Sequence, residues 1–386
     1  MPRLVISTVG TSLLTNQIDR EYEDGYYKRL RDTANCTSEE IEKYHEDVAD
    51  IIKELKERAE EKLNSKDIDE LCEASAELNG IYGLYEQEIE RGKSDTHLLI
   101  TTDTAQGLVT AELVEKFLKN EGLNTTSTYF TPGFSLNNSI NFAEGIAKLF
   151  TYLQQMISSS KNSKYTVCFN LVGSFKAIQG YFNTIGMFYA DEIIYIFEGS
   201  NEIIKIPKLP VQVDKSMIEP YKVQLAMMDV GDVPKSWDKA QEVPHDWVIT
   251  DGQDMTLSTW GKLLWGECKD FFLSQDKPLD FPHINYEPSF LEDYKNDRNK
   301  IASFKIDLQE TLARCACLML KNVDGISALR QDGIIRLRRY EGKYKEYDHF
   351  DLAKDRRVSC LVKGNNLYLC HYGEHDYVND KPSCKQ

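Results

Sequence analysis

Two groups of residues have the types and spacing to do chemistry. The first is Phe169 to Gly180, FNLVGSFKAIQG. A short apolar run from Tyr165 to Leu171 stops at Gly173-Ser174, and a helix opens with Lys176. This is the pattern of a buried parallel strand, a tight turn and a helix whose free N-terminal amides face outward. Those amides and the helix dipole favour an anion, and Lys176 adds a cation. A similar junction lies at the chain start, where Leu4 to Val9 runs into Gly10-Thr11-Ser12. Two such turns side by side at the carboxyl edge of a parallel sheet would hold a polyanion such as a phosphate-bearing ligand. A third turn, Asp103 to Gly107, adds Thr104. The candidate ligand-binding residues are therefore Gly10, Thr11, Ser12, Thr104, Gly173, Ser174, Phe175 and Lys176.

The second group is C-terminal. Between Ile334 and Lys363 nine Lys or Arg stand against five acids, interleaved with Tyr340, Tyr344 and Tyr347. In a chain of net charge −16 this is a local cationic face with aromatic platforms, as single-stranded RNA contact requires. A solvated sheet face with Arg/Glu pairs would read the same way by composition. His375 suits acid or base work near neutral pH, Arg357 suits bidentate phosphate contact, and Tyr377 could stack on or orient a nucleotide. Arg339, Lys343 and Lys345 would hold flanking phosphates, with Glu341 a weaker candidate base. Metal-free RNA cleavage needs such a set: a base for the 2′-hydroxyl, cations on the phosphorane and an acid for the 5′-oxygen.

The elements that must position these groups follow from the rest of the chain. A length of 386 residues predicts two or three domains. The acidic balance excludes a protein that coats nucleic acid or anionic membrane with its whole surface. No apolar stretch reaches the ~18 residues of a membrane span, and MPRLVISTVGTS reads as a core strand rather than a signal peptide, so a cytoplasmic location is expected. The nine cysteines lack C-x-x-C pairs and are expected as reduced, mostly buried thiols, without structural zinc or another metal.

Residues 17 to 95 form an acidic insertion. Thr37 or Ser38 caps a predicted helix with Ile41, Tyr44, Val48, Ile51, Ile52, Leu55 and Leu63 on one face; a second covers Ile68 to Leu78, stopped by Asn79-Gly80. A solvated cover for the sheet is favoured slightly over a dimerisation or lid element. Further strands are expected at His97 to Thr101, Thr125 to Thr131 and Glu192 to Glu198, alternating with helices, which makes residues 1–210 a Rossmann-like α/β domain with a mostly parallel sheet. No G-x-G-x-x-G is present, so a dinucleotide site is not expected.

Thr8 to Asn16 and Asn170 to Ala177 together resemble the paired motifs of the CRISPR-associated Rossmann fold (CARF) sensors. The resemblance implies a homodimer that binds a cyclic oligoadenylate across its two-fold axis, each protomer offering both loops. Ser174 stands where many relatives have glycine.

Residues 211–285 are a Pro-rich connector, in which Thr256 or Ser258 caps an amphipathic helix reaching about Leu273. This segment is similar to the small winged-helix-like piece that follows such sensors; Trp260 and Trp265 are expected in its core, and its role is coupling. Residues 286–386 read as α+β: two helices through Leu318, strands at Ile334 to Tyr340, Asp348 to Leu352, Arg356 to Val362 and Leu367 to His371, and a hairpin at Gly364-Asn365. Tyr347 to Leu352, Asp355 to Val358 and Leu367 to Val378 resemble the RelE family of ribonuclease toxins, which cut messenger RNA in the ribosomal A site. The resemblance places Arg357, His375 and Tyr377 at catalytic positions. A lysine pair of some members falls on Asp348 and Phe350, which weighs against a lysine-based mechanism.

The two resemblances imply a ribosome-dependent mRNA endoribonuclease of type III CRISPR defence, with cyclic tetra-adenylate as allosteric activator and no cofactor, and with Arg357, His375, Tyr377, Lys345 and Arg339 at its active site. The alternative is a nucleotide-responsive regulator whose C-terminal domain binds RNA or ribosome without cutting.

Overall fold

A computed structural model describes residues 1–132, 139–173, 176–196, 202–296, 302–353 and 355–384; the side chains of 139–141 and 176–177 lie outside that description. The chain forms two compact units, Met1–Gln212 and Val213–Gln386.

The first unit is built on a six-stranded sheet: β1 (Arg3–Thr8), β2 (Thr96–Ile100), β3 (Thr126–Tyr129), β4 (Thr166–Asn170), β5 (Glu192–Ile196) and β6 (Ile203–Pro207), in the order β3-β2-β1-β4-β5-β6. The first five run parallel and β6 is an antiparallel edge. The buried strands are apolar runs because helices cover both faces of such a sheet; Leu4, Val5 and Ile6 have no exposed surface. β6 was not anticipated, because its mixed run IIKIP ends in a proline and pairs on one side only.

The acidic insertion departs from expectation at two points. The predicted helix from Thr37 is two helices, Ser38–Tyr44 and Glu46–Leu63, joined at His45, whose backbone is not helical. The bend turns Tyr44 to solvent while Val48, Ile51, Ile52 and Leu55 enter the core. Asn79-Gly80 does not end a helix either. The chain breaks at Ser75, which caps a new helix, Ala76–Leu84, running straight through Gly80. Tertiary packing overrides the local stop signal, since a Cβ at Gly80 would lie 2.2 Å from Oδ1 of Asn170.

In the second unit the expected connector does not stand alone: residues 211–285 share a core with 286–386, one apolar cluster running from Ile218 through Trp265, Phe290 and Leu312 to Tyr372. A small antiparallel sheet, β7 (Val233–Pro234), β8 (Val248–Asp251) and β9 (Asp254–Leu257), has the order β7-β9-β8. The amphipathic helix begins at Thr259, with Ser258 and not Thr256 as its cap, the Ser258 hydroxyl accepting from Gly261 N–H. The larger sheet contains β10 (Ile284–Tyr286), β11 (Arg338–Arg339), β12 (Asp348–Leu352), β13 (Arg356–Lys363) and β14 (Asn366–Glu374), in the order β10-β14-β13-β12-β11. β10 pairs with β14 in parallel and the other pairs are antiparallel. Of the strand predicted over 334–340 only Arg338–Arg339 pairs. Helices Pro288–Asn296, Ala302–Lys321 and Gly325–Gln331 lie between β10 and β11 in the chain, and His375–Asp380 closes it.

The expectation of nine reduced thiols fails at one pair: Cys370 on β14 is bonded to Cys384, with their Cα atoms 4.6 Å apart. The last segment returns to the sheet after the terminal helix, which sequence spacing could not reveal. The other seven cysteines are free, and burial pushes the Cys360 and Cys315 thiols up. Because the bridge closes a loop of 14 residues, Cys384→Ser should cost about 3 kcal/mol by the chain-entropy relation. Urea unfolding with and without a dithiol reductant would measure it: the wild type should fall to the level of the variant in reductant, and the variant should not change.

Two buried histidines, one in each unit, set an acid limit on stability. Burial lowers His97 from 6.5 to about 4, and burial together with the Arg357 charge lowers His349 to about 4. Each stays neutral when folded and charges when unfolded. Stability is thus fully present above the unfolded value near 6.5 and is lost as pH falls toward 4, by on the order of 3 kcal/mol per histidine. Thermal unfolding at pH 7 and pH 4.5 should show a marked drop in both units, and His349→Gln should flatten the dependence in the second.

Candidate functional site

At the carboxyl edge of the first sheet, β1 and β4 are parallel neighbours with Ser7 opposite Asn170, so their following loops leave side by side. The Thr8 hydroxyl donates to the Gly173 carbonyl and ties one loop to the other. Asn170 Nδ2 donates to Ser7 Oγ at 3.2 Å and to the Glu77 carbonyl at 3.1 Å. After β4 the chain enters helix Lys176–Tyr189. Ser174, Phe175 and the Lys176 side chain lie outside the described residues.

The structure brings Gly10, Thr11, Ser12 and Gly173 together, and does so around a residue that the sequence did not single out. Glu77, in the first turn of helix Ala76–Leu84, is 0 % exposed. Its Oε1 accepts from Gly10 N–H at 2.7 Å, and its Oε2 accepts from the Ser12 and Ser75 hydroxyls at 3.1 and 2.8 Å. Ser12 Oγ accepts in turn from Ala76 N–H at 3.1 Å. The insertion is therefore part of the site rather than only a solvated cover. Thr104 departs from expectation in another way: it is buried, and its hydroxyl accepts from Gly107 N–H at 3.2 Å and meets the Thr102 hydroxyl at 3.0 Å. It caps helix Ala105–Asn120.

In the second unit Arg357 and His375 meet through Asn379. Arg357 lies on β13 between Asp351 of β12 and Gly373 of β14. Its Nε donates to Asp351 Oδ1 at 2.6 Å and its Nη1 to Asn379 Oδ1 at 2.5 Å. Asn379 Nδ2 lies 3.2 Å from His375 Nδ1, and the Tyr340 hydroxyl donates to Asn379 Oδ1 at 3.3 Å. His375 and Asn379, four apart, share one face of the terminal helix. Arg357 is only 8 % exposed. Burial opposes ionisation of Asp351, but the Arg357 hydrogen bond and charge outweigh it and hold the carboxyl below its usual range.

Tyr377 faces elsewhere. Its hydroxyl donates to Asp293 Oδ1 at 2.8 Å, while Asp293 Oδ2 sits 2.7 Å from His371 Nδ1 and accepts from Tyr372 N–H at 3.2 Å. The His371 and Tyr377 rings meet edge to face. Asp293, His371 and Tyr377 line a cleft of about 310 Å³ with Glu292, Tyr344 and Lys381. Burial, then the Asp293 hydrogen bond, pushes the Tyr377 phenol up to about 12, so it is a donor at neutral pH and not a base. Lys345 is exposed, and Arg339 is exposed on edge strand β11 with its guanidinium 3.7 Å from Asp348. Neither bonds to Arg357, Asn379 or His375 among the described residues. Asp293, His371 and Asn379 are the participants that sequence reading missed; the first reaches its partners from 78 and 84 positions away.

The first unit is thus an open, mostly parallel α/β sheet with two loops joined at its carboxyl edge, the edge at which ligands of open α/β sheets bind. Residues 72–209 match the model of a family described as CRISPR-associated protein (Cas_APE2256). The match covers most of this unit, from just before Glu77 through β6, and indicates a CRISPR-associated protein. No helix among the described residues is long and apolar enough to cross a membrane.

Proposed function

We propose that the protein is a homodimeric sensor of cyclic tetra-adenylate whose second unit, RelE-like in its catalytic residues, cuts ribosome-bound mRNA in type III CRISPR defence. The observation that carries this reading is the adjacency of β1 and β4, which sets the Gly10–Ser12 loop beside Gly173 and the start of helix Lys176–Tyr189, the latter two within residues 72–209 that match a CRISPR-associated family. The Arg357–Asn379–His375 cluster supports the nuclease half, since it pairs a guanidinium at the start of the central strand with a half-exposed imidazole on the terminal helix. In the proposed reaction His375 moves the proton at the 2′- or 5′-oxygen, Arg357 neutralises the phosphorane, and Tyr377 and Asp293 fix the helix that carries His375. The guanidinium's present engagement with Asp351 is what a resting state would look like.

The test is to incubate the protein with translating ribosomes, with and without cyclic tetra-adenylate, and map mRNA 5′ ends. New ends that appear only with ligand support the reading; ligand binding without new ends would favour the non-cutting regulator. Lys176→Ala should weaken ligand binding by about 1.5–3 kcal/mol, the worth of one charged hydrogen bond. Unchanged calorimetric affinity would place the site elsewhere.

A further inference from the structure

We infer that the Glu77 carboxylate is a built-in anion that occupies the position a phosphoryl oxygen of the ligand takes, so that ligand binding and burial of Glu77 exclude one another. This rests on the sensor reading above. Its basis is a mismatch between charge and surroundings. Glu77 is fully buried, yet no Lys, Arg or His pairs with it among the described residues. A buried carboxylate without a counter-ion is costly, and three neutral donors offset that cost only in part. Those donors, a backbone N–H and two hydroxyls, form the kind of set that phosphate oxygens accept from. Two of them, Gly10 N–H and the Ser12 hydroxyl, belong to the loop beside β4.

Geometry links the carboxylate to both loops. A Cβ at Gly173 would lie 2.0 Å from Glu77 Oε1, so the carboxylate is wedged between the β1 loop and the β4 loop and only glycine fits opposite it. Ser75 both caps helix Ala76–Leu84, accepting from Leu78 N–H at 3.2 Å, and donates to Glu77. Expelling the carboxylate therefore loosens the first turn of that helix. The same helix packs at Gly80 on Asn170 and at Gly83 on Ile203 of β6, so the displacement reaches both β4 and the far edge of the sheet. A ligand that must first empty this position binds more weakly by the fraction of molecules in which it is empty.

Glu77→Gln keeps the shape and removes the charge. Calorimetry with cyclic tetra-adenylate should show the variant binding roughly tenfold or more tightly than the wild type, because the competent fraction rises. Hydrogen exchange on the unaltered protein gives a readout that does not depend on the variant folding. Saturating cyclic tetra-adenylate should slow exchange in residues 9–14 and speed it in residues 75–80. Equal or weaker binding by a folded Glu77→Gln protein, or protection of both segments together, would make Glu77 a fixed brace and overturn the inference. If the wild type itself neither binds cyclic tetra-adenylate nor changes its exchange, the sensor reading falls, and the inference with it.

Discussion

Arg357→Ala and His375→Ala should each lower ligand-dependent mRNA cleavage roughly a hundredfold or more while leaving affinity for cyclic tetra-adenylate unchanged. Removing a group that neutralises developing charge or moves a proton in the transition state costs that much. The two losses should not multiply. Arg357 and His375 share Asn379, so either truncation disturbs the other residue, and groups that act as a unit are not additive. Asn379→Ala should accordingly reproduce part of both defects. The arginine variant carries a stability signature as well, because it empties the buried position that the Arg357 side chain fills, while the exposed Asp351 loses its 2.6 Å partner to water. Arg357→Lys separates the roles. It retains a cation for Asp351 but cannot also reach Asn379, so it should recover stability ahead of cleavage. Primer extension on ribosome-bound message, alongside urea unfolding, distinguishes these outcomes; undiminished ligand-dependent cleavage in the Arg357→Ala, His375→Ala double variant would place the active site elsewhere.

What the sequence disclosed and what it withheld divide along the range of the interactions. The strands β1, β2, β4 and β5 were legible because a parallel strand buried on both faces must be an apolar, β-branched run, and turns such as Gly10-Thr11-Ser12 punctuate it. The β13–β14 hairpin was legible from Gly364, whose φ of +60° is a conformation that glycine adopts without cost. Glu77 and Asp293 were not legible. Glu77 is the one acid of its helix and Asp293 one of two in its own, with no local signal to mark either, and only the fold reveals that one meets Gly10 across 67 positions and the other meets His371 across 78. Gly80 shows the same limit from the opposite side. It reads locally as a stop, yet it is there because Asn170 needs the space. The resemblance set His375 and Tyr377 at catalytic positions together, but the structure sends the two side chains to different partners, His375 toward Asn379 and Tyr377 toward Asp293. Residues two apart on a helix point in different directions, so motif position alone could not place both in one cluster.

Asp293→Ala should damage the second unit severely while leaving Arg357 and His375 in place. One carboxylate accepts from the Tyr377 hydroxyl and the Tyr372 amide and pairs with His371 Nδ1, joining helix Pro288–Asn296 to β14 and to the terminal helix. Truncation removes all three bonds at once and leaves an imidazole that is almost fully buried without its partner. Hydrogen bonds to a charged group contribute about 1.5–3 kcal/mol each and are not additive, so a total loss of about 3 kcal/mol is expected. Tyr377→Phe deletes one bond and keeps the other two, and should cost about 1 kcal/mol. The consequence for activity follows from the helix His375–Asp380. Its Tyr377 side is held by Asp293 and its Asn379 side by Arg357, while the Cys370–Cys384 bridge closes the chain around it. With Asp293 gone, the helix keeps the bridge and one side contact, so His375 should remain present but lose its fixed position. Cleavage in Asp293→Ala should then fall with little change in message binding, and part of it should return in Asp293→Asn, whose amide oxygen still accepts one of the bonds. If Asp293→Ala unfolds at the wild-type urea midpoint and cuts at the wild-type rate, the cleft is a surface feature and His375 is positioned by Asn379 alone.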